Sequence, residues 1–358
     1  MSVVETTDLR PGHSISRVIK GGWQLAGDHG SVDRSAAILD MEAFVDAGIT
    51  TFDCADIYTG VEEMIGEFIA DLRRRRGAEM ANRVMVHTKL VPDLTRLADL
   101  HADEVEAIID RSLKRLQIEQ LDLVQFYWWD LTLGNAVEGL DVLMECQKKG
   151  KIGNLGVTNW DLEQTALFID AGFDISSTQV QYSVLDCRPT YGLTDWAKQH
   201  DIQLLCYGTL AGGFLTDKWL GQPDPGFSFE NRSLVKYRLI IDEFGAWEQF
   251  QALLTLLKAI GDKHGVSLSS VATRWVLDQP QVAAGIVGAR YASHLPKMLE
   301  TFEFNLDRED HSKIDALQQL SNGPAGKVFG LEANRTSRHG SIMKYNLNTR
   351  PQDQVLGR

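Results

Sequence analysis

The chain has 358 residues, 44% hydrophobic and 24% charged, a balance that fits a globular protein able to bury a large core. Its formal net charge of −13 argues against a nucleic-acid or anionic-membrane binder, so any anionic ligand needs a local positive site. The four cysteines (Cys54, Cys146, Cys187 and Cys206) form no CxxC pair, no stretch approaches the roughly 18 apolar residues of a membrane helix, and Met1 to Arg17 lacks a signal-peptide core. A soluble chain in a reducing, cytoplasmic setting is the expectation.

In chain order, short β-rich runs alternate with helical periods. A first strand is expected around Arg17 to Leu25, then strands over Thr50 to Asp56, Arg83 to Leu90 and Leu121 to Trp129. Four more follow over Lys151 to Asn159, Thr178 to Ser183, Gln203 to Thr209 and Val282 to Ala289. Between them, Met64, Ile65, Phe68, Ile69 and Leu72 fall on one helical stripe that runs out into Arg73 to Arg76, cations suited to a helix C-terminus. Val105, Ile108, Ile109, Leu113 and Leu116 mark a second helix. Val137, Leu140, Leu143 and Met144 mark a third, which stops at Gly150. Val271 to Leu277 marks another, which halts before Pro280. Roughly eight strand–helix units point to an α/β fold, a (β/α)8 TIM barrel of parallel strands; an open doubly wound sheet is the alternative, because alternation does not report closure.

Two segments break the rhythm. Residues 211–245 contain Gly, Pro and Phe without a clear period and read as a long functional loop after the seventh strand. Residues 1–322 then form one barrel domain, and residues 323–358 a polar tail with a basic excess. That tail either wraps the surface or covers the barrel mouth.

Barrel enzymes place reacting groups at the C-terminal ends of the strands. Here those ends carry Asp53 to Tyr58, Lys89, Tyr127 to Trp129, Thr158 and Asn159, Gln179 and Gln181, and Tyr207. Asp53 and Lys89 sit in otherwise apolar strands, where an unpaired charge costs several kcal/mol, and on neighbouring strands they can neutralise each other. A buried ammonium beside Tyr58 favours the phenolate and is expected to draw that hydroxyl below its usual pKa. Asp53, Tyr58 and Lys89 together form a proton-transfer unit; a buried ion pair beside a packed tyrosine is the plainer reading of the same three residues. His87, two residues before Lys89, faces the same way and reads as a hydrogen-bonded core residue. Trp23, Trp128 and Trp129 cluster near strand ends, where an aromatic wall beside Tyr58 would suit a bulky or aromatic substrate; strand alternation sets Trp128 opposite to Tyr127 and Trp129. No HExxH, paired-cysteine, P-loop or GxSxG pattern occurs, so no metal site is expected.

Several runs resemble, in order, the signatures of the aldo-keto reductases. They are Phe52–Gly66 (FDCADIYTGVEEMIG), His87–Lys89 (HTK), Leu121–Phe126 (LDLVQF), Gly153–Asn159 (GNLGVTN), Thr178–Tyr182 (TQVQY), Tyr207–Leu215 (YGTLAGGFL), Arg274–Asp278 (RWVLD) and Gly285–Arg290 (GIVGAR). The resemblance implies hydride transfer between a nicotinamide and a carbonyl or alcohol, with NADPH favoured and NADH as the alternative. It makes Tyr58 the general acid, with Lys89 and Asp53 as its tuners. It implies cofactor contacts from Gly22, Trp23, Asp53, Thr158, Asn159 and Gln179, ring stacking by Tyr207, and a pyrophosphate loop from Gly208 to Thr216 including Thr209, Leu210 and Gly212. Arg290, His294 and Lys297 fall where the family places the adenosine phosphate, His294 standing in for the usual Arg. Tyr127 occupies the usual catalytic His position, and a phenol there donates a hydrogen bond but offers no charge switch near pH 6.5. A small-molecule carbonyl or alcohol is the expected partner, with oligomeric state open. The same site run in reverse, as an alcohol or sugar dehydrogenase, and a cofactor-binding subunit with little turnover are the alternatives.

Overall fold

The computed structural model describes residues 4–26 and 32–348. An antiparallel hairpin, β1 (Thr6–Arg10) and β2 (His13–Ser16), precedes eight barrel strands. These are β3 (Val18–Gly21), β4 (Thr51–Asp53), β5 (Met85–Leu90), β6 (Leu121–Phe126), β7 (Ile152–Thr158), β8 (Ser177–Gln181), β9 (Gln203–Tyr207) and β10 (Val282–Gly288). Each pairs in parallel with the next, and β10 closes on β3. The sheet is the closed (β/α)8 barrel, not the open alternative.

Burial divides the interior into zones. The ring between strands and helices is one continuous apolar core that includes Phe44, Phe52, Phe68, Phe126, Leu143 and Trp160. Inside the barrel, the lower level is a second, smaller apolar cluster of Ile19, Leu123, Leu205 and Ala283, closed from beneath by Leu9 and Ile15 of the hairpin. The level above it is polar: Asp53, Lys89, Gln125 and Gln179 are all buried there. The hairpin was not foreseen, because only Leu9 and Ile15 in its two strands advertise a buried face. Its His13 reaches His87 across the floor, with the two Nε2 atoms 3.1 Å apart, while Asn154 Nδ2 lies 2.6 Å from His13 Nδ1.

Several boundaries differ from expectation, the expected strands ending early at Gly21, Asp53 and Tyr207 among them. The fourth barrel strand ends at Phe126, so Tyr127 to Trp129 belong to the loop that follows it. Within 211–245, residues Arg232–Phe244 form a helix whose Asn231 cap accepts from the Leu234 amide at 3.0 Å. That helix carries Leu234, Tyr237, Ile241 and Phe244 on one stripe and buries Tyr237, Arg238, Leu239, Ile240, Ile241 and Phe244. Among the described residues no helix is long and apolar enough to cross a membrane.

Residues 323–348 return to the C-terminal face of the barrel. Leu94 donates its amide to the Tyr345 carbonyl at 2.9 Å, and Asp93 accepts the amides of Leu347 and Asn348 at 2.7 and 2.9 Å.

Burial depresses the His13 imidazole to about 4, against a weaker opposing pull from Asp8, and burial with the His13 and Lys89 charges holds His87 well below its usual value. In the unfolded chain both return to about 6.5. Between these values the unfolded state binds more protons, so stability falls as pH drops from about 6.5 to 4, by about 3 kcal/mol for His13 alone. Urea denaturation across this window should show that loss in the parent and a flatter profile in His13→Gln.

Candidate active site

A cavity of about 480 Å³ opens at the C-terminal ends of the barrel strands. Its wall takes the last residue of β3 (Gly21), β4 (Asp53), β7 (Thr158), β9 (Tyr207) and β10 (Gly288), with Lys89 of β5 and Gln179 of β8. Parallel pairing explains the convergence: each strand stops at the same level, and alternate residues face inward.

Lys89 and Asp53 form the charged floor. Lys89 Nζ donates to Asp53 Oδ1 and Oδ2 at 2.8 and 2.7 Å and to the Cys54 carbonyl at 2.8 Å. Both side chains are 5% exposed. Asp53 Oδ1 also accepts from Gln179 Nε2 at 2.7 Å and Gln125 Nε2 at 3.3 Å, and Gln179 donates to Gln125 Oε1 at 2.9 Å. Burial works against the Lys89 ammonium, but Asp53 outweighs it and the net pull on its pKa is upward. The lysine therefore remains charged.

Tyr58 stands over this pair, with Lys89 Nζ 5.0 Å from its ring centroid. Its hydroxyl is pushed up to about 12: burial raises it, the Lys89 charge and hydrogen bond oppose, and Asp53 adds to the rise. This corrects the expected downward shift. Desolvation of the phenol is the largest influence, and the carboxylate that holds Lys89 offsets part of its pull, so the net shift is upward.

The remaining predicted residues divide. Trp23 lines the cavity, its ring 4.8 Å from that of Tyr58, and its indole donates to Ser233 Oγ at 3.0 Å. Thr158, Asn159, Tyr207, Gly208, Thr209, Leu210, Gly212 and His294 also line it. Asn159 sits at φ 59, a conformation asparagine tolerates, and its Oδ1 accepts from the Tyr207 hydroxyl at 2.8 Å. Tyr127 and Trp129 pack edge to face with centroids 4.8 Å apart, and both reach the cavity. Burial raises the Tyr127 hydroxyl, which stays a phenol.

Four residues stand outside the lining. Trp128 is turned into the core against Phe126, with its indole on the Leu133 carbonyl at 2.8 Å, as the opposite face predicted by alternation requires. A Cβ on Gly22 would lie 2.7 Å from the Asp53 carbonyl oxygen and from Val61, so this glycine serves the close approach of two strand ends. Arg290 donates to the Gln24 carbonyl at 3.3 Å. Lys297 lies 3.6 Å from Asp217, on the long loop.

Five contributions escaped sequence reasoning. Gln125 braces Asp53 from the fourth barrel strand. Ser233 and Lys236 come from the unforeseen helix, and Phe329 and Met343 from the tail. Gln125 was visible as a polar residue in an apolar strand; the others had no local signal.

The model of the aldo/keto reductase family matches residues 17–319. The chain belongs to this family. It is 29% identical over 324 residues to the aldo-keto reductase YhdN of Bacillus subtilis, covering 89% of this chain and 95% of that one. With the 6-dehydroglucose reductase of Novosphingobium aromaticivorans it shares 28% over 317 residues, 84% and 91% of the two chains. Among solved structures, a glycerol dehydrogenase from Gluconobacter oxydans has the same fold at TM-score 0.74 and 24% identity, with 90% and 97% covered. An aldo/keto reductase from Klebsiella pneumoniae, solved with NADP and acetate, gives 0.67 at 21%, with 91% and 98% covered.

In this aldo/keto reductase the Asp53–Lys89 pair is also a folding constraint. Lys89→Met, which strands a buried carboxylate, should cost about 3–5 kcal/mol in urea denaturation, and adding Asp53→Asn should recover at least half of it. Equal losses in the single and double variants would contradict a compensated pair.

Proposed function

We propose that this aldo/keto reductase reduces aldehydes or ketones with NADPH, Tyr58 acting as the general acid. The observation that carries the reading is a phenol held at neutral charge above a buried Lys–Asp pair, on the floor of an open cavity.

The residues present fit a dinucleotide. Gln24 Oε1 and Thr209 Oγ1 are buried in the wall without a hydrogen-bond partner, and a Cβ on Gly213 would meet nothing within 4 Å. Lys236 and His294 both line the cavity. Thr158, Asn159 and the Tyr207 ring would hold the nicotinamide end, and the Gly208–Thr216 loop the phosphates. The Klebsiella relatives solved with NADP and NADPH favour the phosphorylated form. When bound, the nicotinamide supplies a hydride to the carbonyl carbon.

The chain's own residues do the rest. Tyr58 donates its proton to the carbonyl oxygen as charge develops there, so carbonyl, hydride and proton give the alcohol. Lys89 is held by three acceptors and does not give up its proton to Tyr58; its charge offsets the negative charge left on the phenolate. Tyr127 donates a hydrogen bond to the same oxygen without changing charge. A tyrosine with a pKa of about 12 is almost fully protonated at pH 7, which favours reduction over the reverse direction. Trp23, Tyr127, Trp129, Phe329, Met343 and Leu347 give the outer cavity an aromatic and apolar wall, suited to an aromatic carbonyl.

Tyr58→Phe should lower kcat at least roughly 100-fold while quenching of protein fluorescence by NADPH is retained, and Tyr127→Phe should cost less. Full activity in Tyr58→Phe removes the proposed acid, and an equal loss in Tyr127→Phe makes that residue a partner in proton transfer. The kcat/KM for NADPH should exceed that for NADH. For reduction, kcat/KM should stay level from pH 6 to 10 and fall only on approach to about 12, where the phenol ionises. An inflection near pH 6.5 would require a histidine that the site does not use.

A further inference from the structure

Beneath the tail lies a cluster of charges that the chemistry above does not use. Arg188 Nε and Nη2 donate to Asp186 at 2.9 and 2.6 Å, and its two Nη groups donate to Glu332 at 2.9 and 3.1 Å. Lys236 Nζ lies 4.0 Å from the same Glu332 carboxylate. Asp186, Arg188 and Glu332 are each at most 1% exposed. Two cations face two anions, so the set is neutral only while Glu332 is in place. Burial works against the Glu332 carboxylate, but Arg188 and Lys236 outweigh it and hold it ionised.

Glu332 belongs to the tail, and three residues before it the backbone is unusual. Phe329 adopts φ 58, ψ 9, a left-handed conformation that a bulky side chain enters at a cost and keeps only where surrounding contacts hold it. It is 4% exposed, packs edge to face on Tyr127 with centroids 6.0 Å apart, and has Lys236 Nζ 5.8 Å from its ring. Phe329 also lines the cavity. Barrel closure does not need this turn, since the eight strands pair without the tail.

We propose that Glu332 is a positioning residue whose buried ion pair with Arg188 locks Phe329 against Tyr127, making Phe329 a specificity-determining wall that excludes carbonyl compounds broad on both sides of the carbonyl. The specificity half rests on the carbonyl-reductase reading; the clamp half does not. Glycine is at home at φ 58, so Phe329→Gly removes the ring while keeping the turn.

Phe329→Gly should raise the ratio of kcat/KM for benzophenone to that for benzaldehyde at least 10-fold, through KM and not kcat. Glu332→Gln should move the same ratio in the same direction. A merely structural role would depress both substrates together, and an unchanged ratio in Phe329→Gly overturns the specificity assignment. Independently of turnover, Glu332→Gln should speed amide hydrogen exchange across 329–333 at least 10-fold with the barrel strands unchanged; unaltered exchange overturns the clamp. If the parent reduces neither probe, the carbonyl reading and the specificity role fall together, and exchange still decides the clamp.

Discussion

One buried ion pair organises this molecule. Lys89 spends its donors on two oxygens of Asp53 and on the Cys54 carbonyl. Asp53 in turn collects two glutamine amides. Neither charge could sit inside the barrel alone, and satisfying both draws β4, β5, β6 and β8 to one point. Burial of the phenol outweighs the pull of Lys89, which Asp53 partly offsets, and Tyr58 keeps its proton.

The layered interior gives that pair its setting. An apolar plug, sealed by the N-terminal hairpin, lies below the polar level; the cavity opens above it. Tail and long loop, neither part of the repeating strand–helix unit, supply much of the outer wall. The charged floor thus comes from strand ends, and the outer wall from segments outside the repeating barrel unit.

How much was legible follows from the range of each interaction. Parallel strands with inward-facing alternate residues place Asp53 and Lys89 together, since Asp53 pairs with His87 and Lys89 lies two residues further along the same face. Strand ends likewise predicted Thr158, Asn159, Gln179 and Tyr207 on one cavity wall. The same alternation set Trp128 apart from Tyr127 and Trp129, and the structure turns it into the core. The helix Arg232–Phe244 was masked by the Gly- and Pro-containing run before it, and Glu332 meets Arg188 across 144 residues, a pairing that no local pattern announces. The direction of the Tyr58 shift was misjudged for a related reason: desolvation of the phenol, which no local pattern reports, exceeds the influence of Lys89.

The central claim is that the Lys–Asp floor leaves Tyr58 a phenol well above neutral pH. Titration of ring-labelled tyrosines by carbon NMR, with Tyr58→Phe to assign the resonance, measures this directly. The account predicts a Tyr58 signal unmoved through pH 10; ionisation at or below pH 8 would contradict it.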